Sequence, residues 1–173
     1  MKHSHLFKHI LSIALCAAVI LGLSVSALAS DHSHRPKPKP ETEAEAEAVT
    51  EDGAAIVETA MEYLGAPYVW GGTTPAGFDC SGFVQYVFGQ CGYEISRTAD
   101  TQYDDGEPVE MDELIPGDLV FFERTYSDYG ITHVGIYIGD GQFIHAGGSQ
   151  VKITDLENDW YSSRYYGACR IAG

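Results

Sequence analysis

Positive charge is scarce beyond residue 49. Five basic residues (Arg97, Arg124, Lys152, Arg164, Arg170) stand there against twenty acidic ones, so this stretch alone accounts for the net charge of −15 of the 173-residue chain. Such a surface repels phosphate groups and excludes nucleic acid as a partner. It also argues against simple adsorption to anionic lipid or other polyanions, so an anionic ligand must be gripped locally, against the global field. Cysteine is scarce too, with four in the chain. Close-spaced metal-ligand pairs of the C-x-x-C or H-x-x-x-H type are lacking among Cys80, His133 and His145, which excludes the usual zinc pattern; no metal or other cofactor is expected. There is no internal repeat, and the one long apolar run lies at the N-terminus.

That run belongs to residues 1–29, which read as a signal peptide. Lys2 and Lys8 give a basic start, Ile10 to Leu23 is apolar apart from Ser12 and Gly22, and Ala27-Leu28-Ala29 fits the small-x-small rule for cutting after Ala29. The run is short for a membrane span and no stop-transfer flank follows, so no stable membrane insertion is expected after cleavage. An uncleaved anchor is the alternative. Residues 30–49 read as a linker: His32 and His34, then Arg35-Pro36-Lys37-Pro38-Lys39-Pro40, then an alternating Glu/Ala tract. The Pro-Lys stretch favours an extended, solvated chain, and the Glu/Ala tract has no apolar face to bury. Two histidines are too few for a metal site. Residues 50–173 form the folded domain, long enough to bury a core unaided.

Within that domain, apolar residues at Ile56, Val57, Ala60, Met61 and Leu64 predict a helical face that stops at Gly65. Ala66 to Phe78 reads as a loop. Asp79 to Gln90 predicts a second helix burying Phe83, Val84, Val87 and Phe88. Arg97 to Tyr103 reads as a short helix or turn. Strands are predicted at 118–122, 132–138, 142–146, 151–154 and 165–171, with Gly139-Asp140-Gly141 as a hairpin turn. Helices first and antiparallel strands after define an α+β domain.

Once Cys16 leaves with the signal peptide, Cys80, Cys91 and Cys169 remain; three thiols cannot all pair, so at least one is free. Cys80 lies in Phe78-Asp79-Cys80-Ser81-Gly82, at the start of the second helix. The positive end of the helix dipole is expected to lower its pKa toward the thiolate, and Asp79 to cap the helix, with Gly82 leaving room for a substrate. A small buried core cysteine is the bland alternative. His133 sits in a strand whose Val134, Ile136 and Ile138 share one face, leaving His133, Gly135 and Tyr137 on the other. Gly135 is expected to leave open space beside the imidazole. Phe143 and His145 share a face of the returning strand, so one imidazole can orient the other. Nucleophile, base and orienting group then have the logic of a thiol triad.

These residues fall in blocks that resemble the NlpC/P60 cell-wall peptidases: Leu64-Gly65-Ala66-Pro67-Tyr68-Val69-Trp70-Gly71-Gly72, Phe78-Asp79-Cys80-Ser81-Gly82-Phe83-Val84, Arg97-Thr98-Ala99-Asp100-Thr101-Gln102, Pro116-Gly117-Asp118-Leu119-Val120-Phe121-Phe122, His133-Val134-Gly135-Ile136-Tyr137 and His145-Ala146. The resemblance implies a papain-like α+β fold with helices packed on a central antiparallel sheet. It implies hydrolysis of peptidoglycan stem peptides or muropeptides between D-γ-glutamyl and a diamino acid. It makes Cys80 the nucleophile, His133 the base and His145 the third member. By the same resemblance Tyr68 lines the oxyanion hole or cleft, and Asp79 and Ser81 match positions that grip the free amine of a terminal L-alanine in some members. A monomer, secreted or in the cell wall of a bacterium, is the expectation. A wall amidase, an acyl or peptidyl transferase with the same triad, or a non-catalytic wall-binding module are the alternatives. The segment Glu123 to Gly130, with two tyrosines, departs from the family pattern and leaves substrate preference open.

Overall fold

The computed structural model describes residues 49–172. Residues 1–48, which hold the expected signal peptide, all but the last residue of the expected linker, and their histidines, lie outside the described residues. Helix α1 (Glu51–Met61) starts at Thr50, whose side-chain oxygen accepts the Gly53 N–H at 2.9 Å. Of the apolar series read from the sequence, Ile56 and Ala60 are buried, while Met61 and Leu64 stand in solvent. The helix ends at Met61, before its last apolar position, and Gly65 turns the chain with φ of 83°. The loop that follows contains a two-rung hairpin, β1 (Thr73–Thr74) and β2 (Gly77–Phe78), which the sequence did not suggest. Helix α2 (Cys80–Gln90) follows at once, and all four expected apolar residues, Phe83, Val84, Val87 and Phe88, are fully buried. Truncating one of these phenylalanines to alanine costs roughly 3–5 kcal/mol.

After the short helix α3 (Ala99–Tyr103) the chain is built of strands: β3 (Glu107–Val109), β4 (Leu119–Glu123), β5 (Ile131–Gly139), β6 (Gln142–Gly147), β7 (Gln150–Asp155) and β8 (Tyr165–Arg170), with the four-residue helix α4 (Asp159–Ser162) before the last. They form one antiparallel sheet in the order β3-β8-β4-β5-β6-β7. The β5–β6 hairpin is symmetric about Asp140, with Ile136 opposite Ile144 and Tyr137 opposite Phe143. Gly139, Asp140 and Gly141 all have positive φ, a backbone state glycine adopts freely and aspartate tolerates. Strand β3 and helix α4 were not legible in advance: neither is long enough to show a period.

Alternation along the central strands splits the core in two. Phe121, Val134, Ile136 and Ile144 pack under α1 and α2 with Ile56, Phe83 and Val84. Val120, Phe122, Tyr137 and Phe143 face the other way and join Leu114 and Ala168, with Tyr161 and Tyr165 against them. Arg170, at the end of β8, ties down the start of the neighbouring β4: its Nε and Nη2 reach the two oxygens of Asp118 at 2.7 and 2.8 Å. Asp118 is 1% exposed and also accepts the Ile115 N–H at 2.8 Å. The three described cysteines are all free thiols; Cys169, buried on β8, does not pair with Cys91.

Candidate active site

The site is built where the start of α2 meets the middle of the sheet. Asp79 caps the helix, with its Oδ1 accepting the Gly82 N–H at 2.7 Å, and this fixes Cys80 as the first helical residue. The backbone N–H groups of Ser81, Val134 on β5 and Cys80 each favour the thiolate. The thiol lies 4.0 Å from the carbonyl oxygen of Thr132. Thr132 and Val134 flank His133, so the sulfur rests against the stretch of β5 that carries the imidazole.

Nε2 of His133 lies 2.8 Å from Nδ1 of His145. Nε2 of His145 in turn lies 3.0 Å from Oγ1 of Thr154 on β7. The rings are perpendicular, 4.9 Å apart, and Tyr161 of α4 covers both at 5.7 and 5.1 Å. Phe122 and Phe143 close the remaining sides. The space at Gly135 is therefore not open. A β-carbon there would come 2.6 Å from Cδ2 of Phe143 and 3.1 Å from the β-carbon of His145, so the glycine admits the neighbouring strand's rings rather than a ligand. Gly82 is likewise required by the protein itself, since a β-carbon would lie 2.1 Å from the Gly72 carbonyl oxygen.

Burial governs the electrostatics. It pulls His133 down to about 4, with the Lys152 ammonium adding to the effect. His145 falls to about 2 through burial first, then through His133 and Lys152. Lys152 pairs directly with His145 across β6 and β7. Both imidazoles are thus neutral at neutral pH. The thiol is pushed up, by burial and then by the Asp79 carboxylate, and the three backbone N–H groups only partly offset this. The expected net lowering is therefore not found: desolvation outweighs the backbone N–H groups. The resting pair is a thiol beside a neutral imidazole.

Tyr68 borders the same cleft. Its phenol is pushed up to about 12 by burial, then by Cys80 once that thiol ionises and by the Asp79 carboxylate, so it remains a hydrogen-bond donor. The cleft holds about 320 Å³, and Tyr68, Trp70, Asp79, Cys80, Arg97 and Tyr126 line it. Trp70 and Tyr126 meet edge to face at 5.0 Å on its rim. Tyr126 comes from the departing segment, which therefore borders the cleft.

Arg97 binds Asp79 in a fork, with Nη1 to Oδ1 at 3.1 Å and Nη2 to Oδ2 at 2.6 Å. Its Nη1 also donates to Ser81 Oγ at 2.9 Å. Asp79 Oδ2 accepts the Gly71 N–H at 3.0 Å, so one carboxylate ties loop, helix and guanidinium together.

Of the six site residues read from the sequence, Tyr68, Asp79, Cys80 and Ser81 line this cleft, while His133 and His145 are buried beside it. Arg97, Thr154 and Tyr161 were not foreseen in these positions. A signal for Thr154 existed: a turn at Gly148 places Lys152 opposite His145 and Thr154 two residues beyond, on the same face. For Tyr161 there was none, because α4 is a single turn.

Helices packed on a six-stranded antiparallel sheet, with a thiol at a helix N-terminus set against two linked imidazoles, make this a papain-like α+β domain. Residues 65–170 match the family model described as "NlpC/P60 family", and the chain belongs to that family. It is 47% identical over 119 residues to the gamma-DL-glutamyl hydrolase of Bacillus subtilis (strain 168), a match covering 67% of this chain and 29% of that protein. It is 39% identical over 117 residues to the bifunctional muramidase/DL-endopeptidase CwlT of the same organism, covering 67% and 36%. The chain thus spans only about a third of these relatives' length. Among solved structures, an NlpC/P60 family protein from Bacillus cereus ATCC 10987 superposes with TM-score 0.67 at 34% identity, covering 73% of this chain and 42% of that one. The NlpC/p60 domain of the peptidoglycan hydrolase SagA gives 0.60 at 40% identity, covering 68% and 97%.

Proposed function

We propose that this protein is an exported cysteine peptidase that hydrolyses peptidoglycan stem peptides at the bond between D-γ-glutamyl and a diamino acid. The observation that carries the reading is the Cys80 sulfur seated on the backbone that flanks His133, whose ring is held by His145 at 2.8 Å. The relatives' names, gamma-DL-glutamyl hydrolase and DL-endopeptidase, support the bond type.

Because thiol and imidazole are both neutral at rest, proton transfer accompanies attack. His133 uses Nε2 toward His145, leaving Nδ1 to take the Cys80 proton as the sulfur adds to the stem-peptide carbonyl. The oxyanion is stabilised by the Cys80 N–H, one of the first-turn donors of α2, and by the Tyr68 hydroxyl. Collapse expels the amine, which takes the proton from His133, and leaves a thioester on Cys80. His133 then accepts a proton from water as water attacks the thioester and returns it to the departing sulfur. Asp79 and Ser81, braced by Arg97, form the polar end of the cleft that receives the stem peptide. Residues 1–29 act as the leader, residues 30–49 as the tether, and the enzyme works as a monomer outside the cell.

The test is a digest of defined muropeptides with product masses read by mass spectrometry. The expected product pair ends in D-γ-glutamate on one side and begins with a free diamino acid on the other. Release of the intact stem peptide with a free N-terminus, separated from the sugar, indicates an amidase instead, and undiminished turnover by Cys80→Ala removes the triad.

A further inference from the structure

We propose that Thr154 is a positioning residue for the reaction: its hydroxyl accepts the outer N–H of His145 and so fixes which nitrogen of His133 is bare and able to take the Cys80 proton. The proposal rests on the triad reading above.

A neutral imidazole has one N–H and one bare nitrogen. His133 serves as a base at Nδ1 only with its hydrogen on Nε2, where it donates to Nδ1 of His145 over 2.8 Å. His145 must then carry its own hydrogen on Nε2, and the acceptor it meets there is Thr154 Oγ1 at 3.0 Å. The opposite arrangement runs the chain backwards. Thr154 then donates to His145, His145 donates to His133, and His133 presents an N–H to the thiol, which cannot be deprotonated by a donor. A hydroxyl can donate or accept, and in the proposed arrangement this one accepts, the direction that proton uptake by His133 requires. Once His133 takes up the proton it bears hydrogens on both nitrogens, and only the outward direction survives. The imidazolium then donates to His145, and His145 donates to the Thr154 oxygen. Both rings are buried among Phe122, Phe143 and Tyr161, so this oxygen stands in for solvent as the end of the chain. Lys152, opposite His145 on β6 and β7, has no lone pair to offer while charged and cannot replace it.

Two variants separate this role from packing. Thr154→Val keeps the shape and removes the oxygen; Thr154→Ser keeps the oxygen and removes the methyl. With the full chain and a defined muropeptide, Thr154→Val is expected to lose roughly tenfold to a hundredfold in kcat, by analogy with the partners that orient metal-bound histidines. KM should stay within about twofold, as for a group acting in the transition state only. Thr154→Ser should stay within about threefold of the parent by the same reasoning. Long-range ¹H–¹⁵N spectra of the histidine rings give a readout that packing alone would not move. They should show His145 protonated at Nε2 in the parent and in Thr154→Ser, and at Nδ1 or mixed in Thr154→Val. Finding His145 protonated at Nδ1 in the parent overturns the proposal with no variant needed. Full turnover in Thr154→Val overturns it while leaving the triad standing, provided Cys80→Ala is inactive. Turnover by Cys80→Ala brings down both together.

Discussion

Gly147 leaves room for the ring of His145: a β-carbon on Gly147 would lie 2.7 Å from both Nδ1 and Cε1 of that imidazole, and 3.4 Å from the Tyr161 hydroxyl. His145 cannot retreat, because Phe143 and Tyr161 cover its faces. Adding a methyl group therefore displaces the ring, and with it the nitrogen that His133 leans on.

Gly147→Ala should accordingly fold and lose turnover. A misplacement near 1 Å in a catalytic group costs on the order of a hundredfold in rate. Steady-state kinetics on a muropeptide should show the loss in kcat with KM little changed, and near-ultraviolet circular dichroism should match the parent. Parental kcat would show that His145 does not orient the base.

The thiol offers a second measurement, independent of any wall substrate. Asp79 helps hold the Cys80 proton on, and Arg97 forks onto that same carboxylate. Asp79→Asn keeps a good helix cap but removes the negative charge, leaving the guanidinium beside the sulfur. The pH midpoint of Cys80 alkylation by iodoacetamide, followed site by site by mass spectrometry, should move down. Arg97→Gln leaves the carboxylate uncompensated, and the midpoint should move up. Shifts in the same direction for both variants would contradict the charge relationship described.

How much of this was readable beforehand differs by element, for physical reasons. Helix α2 was legible because Phe83, Val84, Val87 and Phe88 repeat at helical spacing behind a capping aspartate. The pairing of His133 with His145 followed from alternation on β5 and β6 and from a turn that only Gly-Asp-Gly makes easily. The net direction of the Cys80 shift was not legible. It is set by how completely the sheet covers the sulfur, a tertiary quantity, and desolvation then outweighs the backbone N–H groups. Arg97 lies eighteen residues from Asp79, and no periodicity links a loop residue to a helix cap. The glycines were seen, but their purpose was misread: Gly82 and Gly135 make room for a carbonyl and for rings of the protein itself, which only the folded chain supplies.

The Asp118–Arg170 pair is the main buried charge pair of the frame. Arg170→Ala strands a carboxylate that is 1% exposed and keeps only the Ile115 N–H of its present donors. Breaking a buried pair from one side costs roughly 3–5 kcal/mol. Urea unfolding of Arg170→Ala should show a loss of that order with the m-value unchanged. Because the pair is remote from the cleft, the kinetics of the folded fraction should be parental. A loss within the error of the parent would mean that water replaces the guanidinium.

Acid should weaken the fold through the same burial that keeps His133 neutral. Its folded pKa of about 4 lies below the ordinary histidine value of 6.5. Above about pH 6.5 neither the folded nor the unfolded chain holds the extra proton, and the full stability is present. As pH falls from about 6.5 toward 4 the unfolded chain takes up the proton first, so stability declines across that window and this contribution levels off below it. A displacement from 6.5 to about 4 corresponds to about 3 kcal/mol. Urea midpoints measured at pH 7.5 and pH 4.5 should therefore separate more for the parent than for His133→Gln, which has no proton to gain. Opening the cage with Tyr161→Ala admits water to both rings. It should raise the acid limb of kcat/KM toward 6.5 and shrink the same separation in stability. If the limb stays where it is in Tyr161→Ala, the ring of Tyr161 is not what keeps His133 dry.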